Sequence, residues 1–408
     1  MLFSFWLPLV FIFITIFGVS LGRLPVLRMN RATIALVGAV ILISCRAITT
    51  EQAYQAIDIN TIVLLFSIMI INANFRLCGF FNLISQNILK LAKTPRRLLA
   101  LLIFFSGLLS ALFLNDTIVL VFTPLVVQIT TSLKRNPIPY LMALATSANV
   151  GSIATIIGNP QNIIIGIFSG ISFAQFSLYL IPVAASGLVV IFILITLIYK
   201  REFCQIQFDT ISLPKFRIYR PLLKKASFAA VFMLGALMIG IPTHLAAMCS
   251  ASLLLITRRL KSERVFAEID WSLLVFFCGL FIVTKTIETI DFSRQLLGAF
   301  QLKSSNEMLD LTIVSTLSSN LISNVPAVLL LKNMIVSFSN LKIAWLTLAM
   351  ATTLAGNLTL LGSVANLIVA ETAKKGGITL SFVEYLRAGV LITGATIGIG
   401  FCWLSLFY

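Results

Sequence analysis

Asp116 stands between Asn115 and Thr117 near the centre of residues 98–133, a predominantly apolar stretch. A carboxylate inside a membrane is costly, so it marks a functional site by default: it binds a cation or carries a proton. Capping a helix is the bland alternative, and the two roles are compatible. Further along the chain come Asn149, Gly151 and Ser152, then Thr155, then Gly158-Asn159-Pro160 and Asn162. The second half repeats this order with Ser323-Asn324, then Gly356-Asn357, Thr359, Gly362-Ser363 and Asn366. Thr155, Gly158 and Asn162 lie 204 positions before Thr359, Gly362 and Asn366. Side-chain oxygens and unwound carbonyls of this kind suit a hard cation such as sodium at the two tips. Helix N-termini beginning at Asp116–Thr117, Asn159-Pro160, Ser323-Asn324 and Gly362-Ser363 offer free N–H groups and partial positive charge to an anion. For an isolated Gly or Ser, close helix packing is explanation enough. The paired set points to a transport site, where interruptions at matching positions of two halves bind substrate.

Lys332, Lys285 and Glu288 are possible charge partners. Lys332 is placed to balance Asp116, to meet an anionic substrate, or to snorkel outward, while Lys285 and Glu288, three residues apart on one helix, read as a pair. Arg76, Glu371 and Arg387 fall near predicted helix ends and are weaker candidates. The six cysteines are scattered without a CxxC pair, and the one histidine, His244, sits beside Pro242 at a predicted helix end. With no nucleophile beside a base, no metal-ligand cluster and no phosphate loop, an enzyme, a resident metal and a cofactor are not expected.

The elements that must hold these residues are set by hydropathy. The 408 residues are 59% hydrophobic and 11% charged, with a mean hydropathy of +1.03, whereas a soluble domain carries roughly 25% charged residues. Several apolar runs approach the about 20 residues that span a bilayer. The solvent for most of this chain is lipid. Leu2–Gly22 lacks the basic start and the cleavage site of a signal peptide and reads as the first span. The net charge of +16 segregates: with the N-terminus outside, 22 of the 30 Lys and Arg residues fall in cytoplasmic segments. These segments include Arg23, Arg28 and Arg31, Lys90–Arg97, Lys134-Arg135, Lys200–Lys225, Arg258–Arg264 and Lys374-Lys375. That is positive-inside bias rather than a nucleic-acid footprint.

Keeping Lys134 and Arg135 inside requires residues 98–133 to be a re-entrant hairpin opening inward. Residues 308–338, with Ser323-Asn324-Val325-Pro326 at the centre, form its outward-opening counterpart. The predicted fold is an all-α polytopic membrane protein of two inverted-topology repeats, with about 10 transmembrane helices, two re-entrant helical hairpins and broken helices at the midplane. Residues 1–200 form the first repeat, 201–225 a basic cytoplasmic linker and 226–408 the second repeat; Phe80–Leu91 and Phe292–Phe300 are interfacial helices or short spans.

Ser110–Pro124, Asn149–Asn162, the Ser323–Pro326 tip and Gly356–Glu371 resemble the ion transporter superfamily, whose members include arsenite permeases, NhaD-type sodium–proton antiporters, citrate–metal symporters and divalent anion–sodium symporters. Gly22–Gly38, with Leu24-Pro25 and Arg31, resembles the arsenite-permease branch. The resemblance implies a scaffold domain, homodimers and elevator-type movement of the hairpin-bearing domain. Divalent-anion symporters carry Ser-Asn-Thr at each tip; here the tips read Leu114-Asn115-Asp116 and Ser323-Asn324-Val325, which argues against dicarboxylate–sodium symport. The expected function is secondary active transport of a small anion, an inorganic oxyanion or a carboxylate, coupled to protons or sodium. Sodium–proton antiport is the alternative and a channel a third. The expected surroundings are the lipid bilayer of a plasma (inner) membrane, a small-ion substrate, a second copy in a homodimer and no nucleic acid, with both termini outside.

Overall fold

The computed structural model describes residues 2–24, 29–204, 218–257, 260–289 and 306–408. Arg28, Lys215, Arg217, Arg258, Arg259, Arg294 and Lys303, counted above in the charge map, and the segment Phe292–Phe300 lie outside the described residues.

The first half runs α1 (Leu2–Leu21), a two-residue antiparallel ladder of β1 (Arg23–Leu24) with β2 (Met29–Asn30), α2 (Arg31–Ser44), α3 (Thr50–Ala56), α4 (Ile59–Leu77) and α5 (Phe80–Leu91). A helical hairpin follows, α6 (Pro95–Leu112) and α7 (Asn115–Ser132), then a broken helix, α8 (Pro137–Ser152) and α9 (Pro160–Ser169), and then α10 (Phe173–Ile198) and α11 (Lys200–Phe203). The second half runs α12 (Arg220–Met238), α13 (Thr243–Leu255), α14 (Ser262–Phe266) and α15 (Trp271–Thr289). Its hairpin is α16 (Glu307–Ile322) and α17 (Asn324–Ile335), its broken helix α18 (Leu341–Ala355) and α19 (Val364–Lys375), and its last helix α20 (Phe382–Ser405).

The protein is thus an all-α, multi-pass membrane protein. Among the described residues, six helices (α4, α6, α10, α12, α15 and α20) are long and apolar enough to cross a bilayer by length and composition. Helix α5 has 12 residues and is about 18 Å long, too short for a hydrocarbon core of about 30 Å. The basic segment expected as a linker over 201–225 is helical at both edges, where α11 and α12 reach into it; residues 205–217 lie outside the described residues. Pro221 at the start of α12 explains the earlier onset, since proline is preorganised for a first turn.

Local sequence sets the helix starts. The Thr94 side chain accepts from Arg97 N, and Pro95 takes the first turn of α6. The Asp58 carboxylate accepts from Thr61 N at 2.6 Å ahead of α4, and Asp270 accepts from Leu273 N at 3.1 Å ahead of α15. These two caps stand 212 positions apart, as do the first residues of α2 and α13. Packing repeats the same relation: α2 lies along α15, and α4 along α13. A second group packs mainly on itself, with α6 and α7 on α8, α16 and α17 on α18, α19 on α7, and α10 on α20. At its centre every residue from Pro139 to Ser152 is buried, and so is every residue from Leu346 to Ala355.

Candidate functional site

The breaks in the two long helices are held open by matching asparagines. Asn162 Nδ2 donates to Ser152 O at 3.1 Å and Thr155 O at 3.0 Å. Asn366 Nδ2 donates to Gly356 O at 2.7 Å and Thr359 O at 3.0 Å. Unwound carbonyls in a membrane interior need partners, each unsatisfied group costing several kcal/mol, and each asparagine supplies two donors to its own break. The arms beyond the breaks are capped in turn: Asn159 Oδ1 accepts from Asn162 N at 2.8 Å, and Ser363 Oγ from Ala365 N at 3.2 Å.

Asn149 joins the halves. Its Nδ2 donates to Asn357 Oδ1 at 2.9 Å and Asn366 Oδ1 at 3.0 Å, and its Oδ1 accepts from Asn115 Nδ2 and Ser363 Oγ, both at 3.1 Å. One buried amide therefore links the first hairpin tip, the first broken helix and the second. Its counterpart 204 positions on is Thr353, whose Oγ1 accepts from Gln161 Nε2 at 3.2 Å and Asn159 Nδ2 at 3.4 Å. Each hairpin is also fastened to its break. Asn115 N donates to Gly158 O at 3.0 Å, Thr155 Oγ1 donates to Ala111 O, and Asn320 Nδ2 donates to Ala355 O at 3.0 Å. Ser319 Oγ lies 2.7 Å from Asn324 Oδ1 and 2.9 Å from Thr352 O. Thr117 Oγ1 accepts from Asn72 Nδ2 of α4 at 3.3 Å.

Two glycines are required by close approach. A Cβ on Gly151 would come 2.2 Å from Gly107 O of α6, and one on Gly158 would come 2.3 Å from Ser152 O. Ser323, a single residue between α16 and α17, holds φ +76°, a conformation that an L side chain rarely adopts. Strain of this kind costs of order 1–3 kcal/mol and collects at functional sites.

Both hairpin tips and both helix breaks open onto one cavity of about 470 Å³. Asn115, Pro160, Asn324 and Val364, the first residues of α7, α9, α17 and α19, all line it, so four helix N-termini face one space. Each carries roughly half a positive charge. Among the described residues, the charged side chains on its wall are Arg31, Asp116, Asp270 and Glu371, one cation against three carboxylates. Around the first break Asn115 Oδ1, Asn162 Oδ1 and Ser110 Oγ are buried oxygens without a hydrogen-bond partner among the described residues; at the second tip Asn320 Oδ1 is another. Oxygens of this kind are hard-cation ligands.

The predicted set thus divides. Asn115, Asp116, Pro160, Ser323, Asn324 and Ser363 line the cavity. Asn149, Ser152, Thr155, Asn159, Asn162, Asn357, Thr359 and Asn366 form the hydrogen-bonded frame beneath it. Gly356 and Gly362 keep the second break tight, and Gly151 is a packing contact between α8 and α6. Lys332 is not Asp116's partner. Its Nζ sits 3.5 Å from Glu288 Oε1 and 4.4 Å from the Phe168 ring centre, because α17 runs beside both α15 and α9. Glu288 also takes Lys285 Nζ at 2.9 Å and Asn333 Nδ2 at 3.0 Å. Sequence reasoning missed Gln161, Thr353 and Asp270 and passed over Arg31 as one of the cytoplasmic cations. It also missed Ser110 and Ser319, which a fixed offset of 209 between the tips would have paired, as it pairs Asn115 with Asn324.

Comparison with known proteins agrees with this architecture. The citrate transporter family model (CitMHS) matches residues 9–355. A 46 kDa membrane protein of Mycobacterium leprae is 31% identical, with 97% of this chain and 98% of that protein aligned. The silicon efflux transporter LSI3 of Oryza sativa subsp. japonica is 29% identical over 92% of each chain. The crystal structure of the YdaH transporter of Alcanivorax borkumensis matches 99% of both chains with a TM-score of 0.60 at 11% identity, a likeness of fold. The chain therefore belongs to the citrate transporter family of the ion transporter superfamily, and is a multi-pass membrane solute transporter.

Proposed function

We propose that the protein is a secondary active carrier of a small inorganic oxyacid or its anion, coupled to protons through Asp116. The observation that carries this reading is the convergence of four helix N-termini and Asp116 on one cavity. The N-termini supply N–H donors and together about two positive charges in partial form. Among the described residues, three carboxylates against one guanidinium offset that field. A multiply charged carboxylate such as citrate would meet this wall at a cost, whereas a weak acid of low charge with several hydroxyl or oxo groups would not. One of the relatives is named a silicon efflux transporter.

Sodium is the second coupling ion to test, because Asn115 Oδ1, Asn162 Oδ1 and Ser110 Oγ offer unpaired oxygens around the first break. Movement by an elevator step fits the division of the helices: α6–α10 with α16–α20 would slide as a body past α1, α2, α4, α12, α13 and α15. On the positive-inside assignment the cavity faces the cytoplasm, both termini lie outside, and the carrier works as a homodimer in the plasma membrane.

The experiment uses purified protein in liposomes loaded with a pH-sensitive dye. Arsenite, silicic acid, sulfate, phosphate, a dicarboxylate and sodium chloride are added separately. The reading predicts proton movement that requires an uncharged or singly charged oxyacid. Proton movement on adding sodium alone makes the protein a cation antiporter and overturns the oxyacid assignment; a response confined to the dicarboxylate overturns the argument from wall charge.

A further inference from the structure

Most polar residues around the two breaks are needed to hold the fold. Asn162 and Asn366 satisfy the unwound carbonyls, and Asn159 and Ser363 cap the arms that follow. Gln161, the second residue of α9, does neither. Its counterpart at the 204-residue spacing is Ala365, so the second break holds with no polar side chain at that position. Yet Gln161 lines the cavity and is only 4% exposed.

A buried amide without partners costs free energy, and one end of this amide is satisfied. Gln161 Nε2 donates to Thr353 Oγ1 of α18 at 3.2 Å, which fixes the carboxamide by its nitrogen. Thr353 Oγ1 also accepts from Asn159 Nδ2 at 3.4 Å, so a second amide holds that hydroxyl in place. The other end, Gln161 Oε1, accepts no hydrogen bond among the described residues. Nor is it one of the enclosed, unpartnered oxygens of the first break, so it stays open to the cavity. The backbone N–H of Gln161 lies in the first turn of α9, where no intrahelical carbonyl reaches it. One residue therefore offers the cavity an acceptor and a donor. A hydroxyl group, which donates and accepts at one oxygen, complements that pair, whereas an ionised oxygen can only accept.

We propose that Gln161 is a specificity-determining residue whose Oε1 accepts from a hydroxyl of an uncharged oxyacid, and that Thr353 is the positioning residue that aims it. The proposal rests on the oxyacid reading above and sharpens it: the solute carried is the fully protonated acid, such as arsenous or silicic acid, rather than its anion. Selection works through pairing. A hydroxyl set against Oε1 completes a hydrogen bond, while an ionised oxygen there leaves both acceptors unpaired in a site largely closed to water. The wall acts in the same sense, because Asp116, Asp270 and Glu371 are further oxygen acceptors that suit a hydroxyl and oppose an anion.

The test measures arsenite uptake into liposomes near neutral pH, where arsenous acid is uncharged, with phosphate and sulfate as competitors and a thermal melt of every variant. Gln161→Met, of similar length but without the amide oxygen, should raise the arsenite KM about fivefold or more, the worth of one hydrogen bond, and leave kcat within about twofold. Gln161→Glu keeps an acceptor in place, so its arsenite KM should stay within about threefold of wild type. Thr353→Val should raise KM as Gln161→Met does, Thr353→Ser should restore it, and the double variant Gln161→Met with Thr353→Val should add little to Gln161→Met alone. A wild-type KM in Gln161→Met overturns the proposal, as does a folded Gln161→Glu protein that loses arsenite uptake. Equal weakening of arsenite and of the two anions in Gln161→Met also overturns it, since the residue would then not discriminate. Additive effects in the double variant remove Thr353 from its positioning role. Should the wild type move neither arsenite nor silicic acid, the oxyacid reading itself is wrong; if it moves them and Gln161→Met is unaffected, only the role of Gln161 falls.

Discussion

Replacing Asn149 with alanine removes four side-chain hydrogen bonds at once, two donated to Asn357 and Asn366 and two accepted from Asn115 and Ser363. Hydrogen bonds between membrane helices average about 0.6 kcal/mol and reach about 1.7, so the four sum to roughly 2–7 kcal/mol. The partners left behind are buried, and a buried group without a partner costs about 1–3 kcal/mol, which places the loss in the upper half, at about 4 kcal/mol or more. Unfolding entropy near 2.1 cal/mol/K per residue over 408 residues converts this to a fall of about 5 °C in Tm. The assay is thermal unfolding of detergent-solubilised protein, followed by size-exclusion chromatography. Ser186→Ala is the control: among the described residues Ser186 Oγ bonds only carbonyls of its own helix, Pro182 O and Val183 O, and the variant should melt within about 1 °C of wild type. An Asn149→Ala protein that melts with the control would refute the claim that this amide ties the two halves together.

Asp116→Asn should abolish proton-driven accumulation, whereas Asp116→Glu, which keeps the carboxyl, should retain a measurable part; uptake under a pH gradient checks both. Gly151→Val should destabilise the fold by about 3 kcal/mol or more, because its side chain would enter the Gly107 carbonyl; loss of the monodisperse peak is the readout. Glu288→Gln disturbs contacts to Lys285, Lys332 and Asn333 away from the cavity. It should lower stability by roughly 1 kcal/mol and leave the choice of solute unchanged, which a competition assay with the solute panel tests.

The parts of this fold that were legible in the sequence are those that repeat. Asn162 and Asn366 were found because each must supply donors to its own broken helix, so both halves keep an amide at the same spacing from Thr155 and Thr359. The hairpins were legible from charge: Lys134 and Arg135 would lie on the wrong side if residues 98–133 crossed once. Arg31 was not legible as a site residue, because counting basic residues treats every arginine at a helix end alike. Nothing local distinguishes one that faces a cavity. Thr353 and Gln161 escaped for a related reason, since the two-fold counterpart of Asn149 is a threonine and identity across the repeat is lost. Lys332 was left open between balancing Asp116, meeting an anionic substrate and snorkelling outward; its neighbours Glu288 and Phe168 come from distant helices that only tertiary packing brings together.

The measurement that bears most directly on the account is the final distribution of arsenite across liposomes containing the wild-type protein, under a pH gradient that a protonophore can collapse. The account predicts accumulation above the external concentration, lost on adding protonophore and absent in Asp116→Asn. Arsenite that stops at equal concentrations on both sides, with or without protonophore, would describe a channel and contradict proton-coupled transport through this cavity.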